Sequence, residues 1–465
     1  MKHYLGLSEY HLRQKHQDYP VHYEPERLIN AHLLVCGMSG TGKSFQSKQL
    51  LGSAARAGLQ VDVFDVHDEL EGIAGATACR YSQATGYGYN PLELDTDIHT
   101  GGVNRQTEYL LGLIREASPQ LGIKQAMVLR NLIVDTYQQA RIYPDNPASW
   151  QRDNITDALR QQLRKARDWA ALNAYYPTLD DLKDYGRRKL TALTIGGDNP
   201  CISALEQLTH HYKRLNSLQG KYAKASSDTD LDKLNKQIAT SKDHCTSSYA
   251  AFIEAMHRGR ELDDILKYDS ADTLASVLQR LELLNAAGIF RANPPPFGDS
   301  NARVHQIKSL TDEQQILFVK LRLRAIFERH KREGATRSGT QVRHIIFLDE
   351  AHKFFSKDSS DIINVIAREA RKFGIGLWCA SQSPTDFPDS FLTNVGATLI
   401  LGLHPTHWQM ATTKLRLGKD TLKYIKAKQV IAVQLRKEGM AEPPFGNVVV
   451  DNTYSNSLSH QSVRP

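Results

Sequence analysis

The sequence predicts an α/β fold in which a large helical insertion interrupts a mostly parallel sheet. Short apolar runs bounded by turn residues, which are typical of buried strands, occur at residues 32–36 and 61–65 and resume from residue 344 onward. A helical pattern at 44–57 joins the first two runs, and such a crossover places its strands parallel in one sheet. Between residues 107 and 300 the chain instead carries long polar segments with helical spacing, which predict the insertion.

The composition is that of an ordinary globular protein. Its 465 residues are 41% hydrophobic and 23% charged, which predicts roughly two to three domains and excludes collagen-like and wholly disordered chains. The longest uncharged apolar runs fall far short of the roughly 20 residues that a membrane span needs, and no secretory signal follows Met1. We therefore expect a cytoplasmic protein without a membrane span. The net charge of +7 is compatible with a polyanionic partner but does not demonstrate one.

Breaks in the pattern divide the chain into five predicted segments. Prolines at Tyr19-Pro20 and Glu24-Pro25 interrupt a polar, His-rich start, and a Ser- and Asn-rich end cannot bury enough apolar surface to order itself. The predicted segments are an N-terminal lead-in (1–27), the first part of the α/β core (28–106), the helical insertion (107–300), the second part of the core (301–451) and a flexible tail (452–465).

A glycine-rich loop follows the first predicted strand. Gly37-Met38-Ser39-Gly40-Thr41-Gly42-Lys43-Ser44 matches the phosphate-loop pattern G-x-x-x-x-G-K-[ST] and precedes a helix, which is the context that this motif requires. The loop N–H groups and the helix N-terminus favour a phosphate. We expect Lys43 to reach the β- and γ-phosphates of ATP and Ser44 to bind Mg²⁺. The predicted ATP-binding residues are Gly37, Ser39, Gly40, Thr41, Gly42, Lys43, Ser44 and Phe45.

Two carboxylates follow the later strand predicted at 344–348. Asp349 and Glu350 emerge at the carboxyl end of this strand, the edge at which α/β sheets bind ligands. Such an Asp-Glu pair can also be an ordinary exposed helix start, and only its combination with the phosphate loop favours a Walker B motif. On that interpretation Asp349 binds Mg²⁺ with Ser44, and Glu350 orients and polarises the attacking water.

The residues after this strand distinguish two kinds of ATPase. Asp349-Glu350-Ala351-His352 spells the Asp-Glu-Ala-His of superfamily 2 helicases, but the next strand ends in Ala380-Ser381-Gln382-Ser383 rather than in their Ser-Ala-Thr. We therefore reject the superfamily 2 assignment. Gln382, at the carboxyl end of that strand, is expected to hydrogen-bond the γ-phosphate or the attacking water. The alternative is an amide that caps a turn.

Several further motifs follow the phosphate loop in a characteristic order. They are Phe64-Asp65-Val66-His67-Asp68-Glu69, Tyr89-Asn90-Pro91-Leu92, Leu348-Asp349-Glu350-Ala351-His352-Lys353-Phe354, Arg368-Glu369-Ala370-Arg371-Lys372-Phe373-Gly374 and Ala380-Ser381-Gln382-Ser383. This order resembles that of the HerA/FtsK superfamily. The resemblance implies a RecA-like P-loop NTPase core, a homo-oligomeric and usually hexameric ring, and ATP with Mg²⁺ at subunit interfaces. It also implies DNA or a secretion complex as partner, in or beside a central channel.

The chain departs from this family in three places. HerA proteins carry an N-terminal β-barrel before the phosphate loop, and the predicted lead-in is too short for it, which weakens the expectation of a nuclease partner docked in the HerA manner. FtsK and the conjugative coupling proteins usually carry membrane spans, whereas no membrane span is predicted in this sequence. The usual Asp-Pro-x-Gly-Glu after the second strand is Asp65-Val66-His67-Asp68-Glu69 here, so Asp65 and Glu69 are candidate site residues only.

Arg368 and Arg371 are the candidates for an arginine finger. They lie three residues apart on a helix predicted at about 359–373, whose buried stripe of Ile and Val leaves both side chains at the surface. In the family that the chain resembles, this segment approaches the nucleotide of the neighbouring subunit, where a guanidinium stabilises charge on the transferred phosphoryl group. The alternative is a surface salt bridge with Glu369 or another acid.

Three functions fit these residues. The first is a ring-forming ATPase that translocates DNA, and the second is an assembly or secretion ATPase of a conjugation system. The third is an NTPase that acts as the scaffold of a defence or mobile-element complex, with an effector as partner. Two basic stretches, 320–343 and 414–428, can face a DNA backbone or can be solvated helix surfaces, and the sequence leaves both possibilities open.

Overall fold

The computed structural model describes residues 1–117, 121–195, 200–224, 228–255, 267–286, 288–291, 293–336 and 341–450. These residues form two compact units. The first, the sheet unit, comprises Met1–Gly88 and the described residues from Pro294 onward, with 288 and 289. The second, the helical unit, comprises the described residues of Tyr89–Ala286, with 290, 291 and 293. The tail predicted at 452–465 lies outside the described residues.

A mixed sheet runs through the sheet unit. Its strands are β1 (His3–Ser8), β2 (Pro20–Tyr23), β3 (Leu33–Gly37), β4 (Gln60–Asp65), β5 (Ala76–Arg80), β6 (Ala302–Gln306), β7 (His344–Leu348), β8 (Ile375–Ser381), β9 (Ala397–Gly402), β10 (Val430–Leu435) and β11 (Gly446–Val449). Their order is β2-β1-β11-β10-β9-β3-β8-β7-β4-β6-β5. Neighbours from β9 to β5 are parallel, and those from β2 to β9 are antiparallel. The predicted α/β fold with a mostly parallel sheet is confirmed.

The central strands of the sheet are apolar on both faces. Every residue of β3, β7 and β8 is buried, as expected for parallel strands that are covered on both sides. Val35 and Trp378 belong to one hydrophobic cluster with Leu50 and Leu51 of helix Lys43–Arg56. Burial of an aliphatic side chain of this kind stabilises a fold by about 1.5–3 kcal/mol. This cluster anchors β3 and the helix that follows it, and so holds both ends of the loop between them.

Helices complete the sheet unit. They are Glu9–Lys15, Lys43–Arg56, Asp312–Glu333, Ile362–Glu369, Asp389–Leu392, Trp408–Leu415 and Lys419–Lys423. The longest begins with a capping box, in which Thr311 and Gln314 each accept a hydrogen bond from the backbone N–H of the other. Its residue Lys320 forms a buried ion pair with Asp361 at 2.6 Å. Lys320 is therefore not part of an exposed basic surface.

Residues 1–27 differ from the predicted polar lead-in, because they contribute β1 and β2 to the sheet. β1 pairs with β11, with Leu7 opposite Val449, so the two ends of the described chain lie side by side. Only Leu5 and Gly6 of β1 are buried, which leaves no apolar alternation for sequence reasoning to detect. β5, like β1 and β2, is a strand that the sequence analysis did not predict.

The helical unit consists of helices in the region of the predicted insertion. They are Val103–Ala117, Ile123–Gln139, Asp157–Ala166, Trp169–Leu172, Leu179–Ile195, Pro200–Tyr222, Asp228–Ala255 and Ala271–Ala286. The helices that begin at Pro200 and Asp228 pack against each other. Within the described ranges, no helix combines the length and the apolar character that crossing a lipid bilayer requires.

A chain of buried polar side chains connects β4, β6 and β7 to the longest helix of the sheet unit. Asp62 accepts hydrogen bonds from His305 Nε2 at 2.7 Å and from His344 Nε2 at 2.8 Å. His344 Nδ1 in turn lies 2.8 Å from His330 Nε2 on the helix. Two arginines also contact these buried groups, since Arg303 donates to Asp62 Oδ2 at 2.7 Å and Arg329 Nη2 lies 3.2 Å from His344 Nδ1.

Burial determines which of these groups carry charge. It lowers the pKa of His305 and His344, and it lowers the pKa of His330 to about 4. Burial also opposes the ionisation of Asp62, but hydrogen bonds from the two imidazoles outweigh this effect and hold the pKa of Asp62 well below its ordinary value. The folded state therefore contains an ionised Asp62 among neutral imidazoles. Unfolding returns the histidines to water, where their pKa is about 6.5.

We expect the melting temperature to fall by several degrees between about pH 7 and about pH 5. In this range the histidines bind protons in the unfolded chain but stay neutral in the folded one, so acid favours unfolding. In His330→Gln, the amide can still donate to His344 but cannot titrate, so the decrease should be smaller. Circular dichroism melts of both proteins across this range measure the effect. His407→Gln, which changes an exposed histidine, should retain the wild-type slope. Equal slopes for wild type and His330→Gln would contradict this explanation.

Candidate nucleotide-binding site

The phosphate loop, residues 37–44, follows β3. Gly40 at φ +81° and Gly42 at φ +97° lie in the left-handed region, which residues with a Cβ rarely adopt. Thr41 Oγ1 donates a hydrogen bond to a carbonyl oxygen of the same loop at 2.7 Å. A Cβ on Gly37 would lie only 2.5 Å from that hydroxyl oxygen. The glycines are therefore required both for the turn and for its close packing.

A cavity of about 290 Å³ opens beside this loop. It lies where β3, β4, β7 and β8 end, because these parallel strands share one carboxyl edge. Gly37 and Thr41 do not line the cavity but shape the loop that borders it. The predicted site residues that do line it are Ser39, Gly40, Gly42, Lys43, Ser44, Phe45, Asp349, Glu350 and Gln382.

Lys43 and Glu350 form an ion pair in the wall of this cavity. The Lys43 Nζ lies 2.8 Å from Glu350 Oε1, and the two side chains are only 13% and 6% exposed. Water screens a pair at this depth weakly, so its geometry matters more than that of a surface pair. Glu350 adopts φ 45°, a conformation that costs a residue other than glycine about 1–3 kcal/mol. The fold thus holds this carboxylate in a strained turn where it faces the lysine.

Asp349 is a buried carboxyl beside that pair. Its pKa is raised to about 6, mainly because the side chain is buried. The carboxylates of Glu350 and Asp65 act in the same direction, and the positive charge of Lys43 opposes them. A divalent cation with oxygen ligands would compensate for this concentration of negative charge, so the residues present fit Mg²⁺.

Ser44 and the segment after β4 complete the acidic side of the cavity. Ser44 Oγ donates a hydrogen bond to Glu69 Oε2 at 2.5 Å, and Glu69 lines the cavity. Asp65 instead accepts hydrogen bonds from three backbone N–H groups that follow it in the chain, at 2.8–3.3 Å. Of these two candidates, Glu69 therefore faces the site, whereas Asp65 stabilises the turn that follows β4.

Gln382 follows directly after β8, and its exposed side chain lines the cavity. No hydrogen bond to its amide is found among the described residues, so the geometry gives no support to the turn-capping alternative. His352, which the sequence analysis noted only as part of Asp-Glu-Ala-His, contacts both strand ends. Its Nδ1 lies 3.1 Å from Ser381 Oγ and 3.4 Å from Glu350 Oε2. His352 is thus placed to position the carboxylate of Glu350.

Outside the phosphate loop, the cavity is also lined by two residues that sequence reasoning did not assign to the site, His67 and Lys428. His67 occupies the motif in which Pro and Gly are replaced, and that departure was the available signal. Lys428 is the last residue of the second basic stretch, and its Cγ would lie 3.6 Å from a Cβ on Gly42. Nothing in the spacing of that stretch indicates which of its lysines reaches the phosphate loop.

The two candidate arginines lie away from this cavity. Arg371 donates to Glu438 Oε1 at 2.6 Å, and Arg368 donates to the carbonyl oxygen of Ser359 at 2.8 Å. The predicted continuous helix at 359–373 is wrong, because helix Ile362–Glu369 ends in a 3-10 turn at Ala370–Phe373. The structure therefore does not bring either guanidinium to the nucleotide cavity of its own chain.

Comparison with known proteins identifies relatives of both halves of the chain. The family described as "Helicase HerA, central domain" matches residues 11–326, and the family described as "Helicase HerA-like C-terminal" matches residues 332–415. The DNA double-strand break repair helicase HerA of Sulfurisphaera tokodaii is 32% identical over 103 residues, which cover 21% of each chain. The protein of the same name from Saccharolobus solfataricus is 31% identical over 103 residues, again 21% of each chain.

The similarity to these helicases is local, since it spans about a fifth of their length. The fold, by contrast, is shared over almost the whole chain with VirB4 of Thermoanaerobacter pseudethanolicus. That structure aligns with a TM-score of 0.58 and 15% identity, and the alignment covers 98% of this chain and 97% of VirB4. Since the central-domain family covers more than half of the residues, the resemblance noted from the motifs is confirmed, and the chain belongs to the HerA-like family.

Proposed function

We propose that the protein is a ring-forming, ATP-hydrolysing motor that translocates DNA. The observation that carries this proposal is the single cavity in which the glycine loop, Lys43, two buried carboxylates and Gln382 converge. The residue types match the needs of phosphoryl transfer, which are backbone donors for phosphate, a cation, an oxygen-ligand metal site and a group that orients water.

ATP binding would use the loop and Lys43. The backbone N–H groups of the loop and the N-terminus of helix Lys43–Arg56 favour the phosphates. Ser44 and Asp349 would hold Mg²⁺. Glu69, which contacts the Ser44 hydroxyl, would bind the same ion through a water molecule. When bound, Mg²⁺ neutralises charge on the β- and γ-phosphates.

Hydrolysis would begin when the Lys43–Glu350 pair separates. Lys43 has one ammonium group, and a phosphate oxygen competes with the Glu350 carboxylate for it. When Lys43 binds phosphate instead of Glu350, the Glu350 carboxylate would be free to accept a proton from water, and His352 would keep that carboxylate in place. Gln382 lines the same cavity and would orient the water or the γ-phosphate.

We also propose a homo-oligomeric ring, which we expect to be a hexamer. Neither Arg368 nor Arg371 reaches the cavity of its own chain, so a role for either guanidinium in hydrolysis requires a nucleotide held by the neighbouring subunit. The Arg371–Glu438 pair is largely exposed and so costs little to break.

A second function is favoured by one observation, the fold shared with VirB4 over 98% of the chain. On this alternative the protein is an assembly or secretion ATPase, and DNA is contacted indirectly or never. A nuclease, an effector or a secretion complex would then be the main partner. The two functions share the nucleotide site and differ in whether DNA changes the rate of ATP turnover.

Glu350→Gln should bind ATP as well as the wild type, or more tightly, because the neutral amide releases Lys43 from its ion pair. Turnover should fall about 100-fold or more, since the amide cannot act as a general base. Titration with a fluorescent ATP analogue and a phosphate-release assay measure the two effects.

Two lysine variants provide a second test of the phosphate loop and its control. Lys43→Ala should lose nucleotide affinity, whereas Lys48→Ala, which removes the same charge from the same helix outside the cavity, should behave as the wild type. Wild-type turnover in Glu350→Gln would place the general base elsewhere. Unchanged ATP binding in a folded Lys43→Ala protein would end the argument for the loop.

Arg371→Ala should bind ATP but hydrolyse it slowly if the guanidinium acts on the neighbouring subunit. Mixing it with Lys43→Ala subunits should restore part of the turnover, because some interfaces then combine an intact loop with an intact arginine. Lys372→Ala, its exposed neighbour, serves as the control and should retain turnover. A fully active Arg371→Ala homomer, together with mixed rings that recover nothing, would exclude Arg371.

A further inference from the structure

The helical unit contains a second cavity, of about 270 Å³. Its walls come from the end of helix Ile123–Gln139, from helix Asp157–Ala166, from the segment around helix Trp169–Leu172 and from helix Leu179–Ile195. None of these residues belongs to the nucleotide site described above. The volume is close to the lower end of the range for ligand pockets, about 300 Å³, so it accommodates a small ligand rather than a folded partner.

Carboxylates neutralise two of the three arginines in the walls of this cavity, because Arg160 pairs with Asp180 and Asp181 and Arg164 pairs with Asp181 and Asp184. Three arginines line it, Arg160, Arg164 and Arg188, and Asp181 is the acidic residue among the lining positions. The Asp181 carboxylate is already engaged by Arg160 at 2.9 and 3.1 Å and by Arg164 at 2.6 Å, and Thr178 donates to it at 2.8 Å. Because its negative charge is compensated in this way, Asp181 does not repel an anionic ligand.

Arg188 differs from the other two arginines. It is exposed, and no carboxylate within the described ranges pairs with it. Its guanidinium lies over the ring of Tyr185, with 5.6 Å between Cζ and the ring centre. A cation–π contact with a ring does not use the N–H groups of the guanidinium, which stay available for a phosphate.

Aromatic side chains form another part of the cavity wall. Trp169 is 57% exposed although it lines the cavity, and Tyr175 lies beside it in the chain segment that follows. In the described part of the chain, neither Trp169 Nε1 nor the Tyr175 hydroxyl has a hydrogen-bond partner. An accessible indole in the same cavity as an arginine without a carboxylate partner provides a surface on which a nucleobase can stack while its phosphate meets Arg188.

We propose that this cavity binds one nucleotide, with the phosphate at Arg188 and the base against Trp169. We assign this nucleotide to a single strand of the translocated DNA. That assignment rests on the proposed function. The cavity is too small for a duplex, and a stacked single nucleotide needs no particular sequence, as a motor requires. A free mononucleotide has the same chemistry, and the test therefore includes it as a separate arm.

The test uses the full chain carrying Lys43→Ala, so that nucleotide binding at the phosphate loop does not contribute. Fluorescence anisotropy measures the affinity for a labelled oligothymidylate of about 12 nucleotides, a length within the range that single-strand sites cover. Thymidine monophosphate forms the second arm, read by quenching of tryptophan fluorescence. ATP turnover is not part of the readout, so a failure of the proposed motor and a failure of this site are seen in different experiments.

Trp169→Ala should weaken binding of the oligonucleotide by about fivefold or more, and Trp169→Phe, which retains a stacking ring, should recover most of it. Arg188→Ala should weaken binding and reduce the slope of log affinity against log salt concentration by about 1, the value expected for the loss of one phosphate contact. The matched control is Arg187→Ala, which removes the same charge from the adjacent residue, one that pairs with Glu282 and does not line the cavity. Arg187→Ala should leave both affinity and salt dependence unchanged.

The outcomes separate the two sources of nucleotide. Loss of oligonucleotide affinity confined to the Trp169 and Arg188 variants supports a strand-binding site. Quenching by thymidine monophosphate that needs Trp169 and Arg188, with oligonucleotide affinity unchanged, supports a site for free nucleotides and overturns the assignment to DNA. Unchanged binding of both probes in correctly folded Trp169→Ala and Arg188→Ala proteins overturns the proposal altogether.

Discussion

The ion pair between Lys43 and Glu350 is the interaction on which the nucleotide site depends. It joins two segments that the helical unit separates in sequence, and it exists because parallel β3 and β7 end at the same edge of the sheet. Removing one partner of a buried pair leaves an uncompensated charge, which costs about 3–5 kcal/mol. On the proposed mechanism, the same pair would hold Glu350, the proposed general base, at the lysine until phosphate competes for it. One contact would then determine both the stability of the site and the control of its chemistry.

Local sequence signals predicted the parts of the fold that are locally determined. The apolar run at 344–348 matches β7 residue for residue, and the phosphate loop has the strand before it and the helix after it that its motif requires. β1 was missed because it pairs with β11 at the other end of the described chain, and pairing at that distance leaves no local pattern; β2 in turn pairs with β1. The helix predicted at 359–373 was too long at both ends, since it begins at Ile362 and passes into a 3-10 turn at Ala370–Phe373, in which Ala370 and Phe373 are buried.

The same distinction applies to the sites. Lys43, Ser44, Asp349 and Glu350 were predicted because each belongs to a short motif with a known chemical purpose. Lys428 reaches the loop only through the fold. The second cavity shows this most clearly, since Trp169 and Arg188 lie on different helices and carry no shared spacing. A wall that brings an arginine and an aromatic ring together from separate helices becomes visible only in three dimensions.

The most direct measurement is the rate of ATP turnover with and without DNA, at several salt concentrations, on protein whose oligomeric state is checked by light scattering. A DNA-translocating motor should hydrolyse ATP faster when DNA is present, and the stimulation should decline as salt displaces the phosphate backbone. Turnover that is equal with and without single-stranded or duplex DNA at every salt concentration, in an oligomer that hydrolyses ATP, would contradict the account.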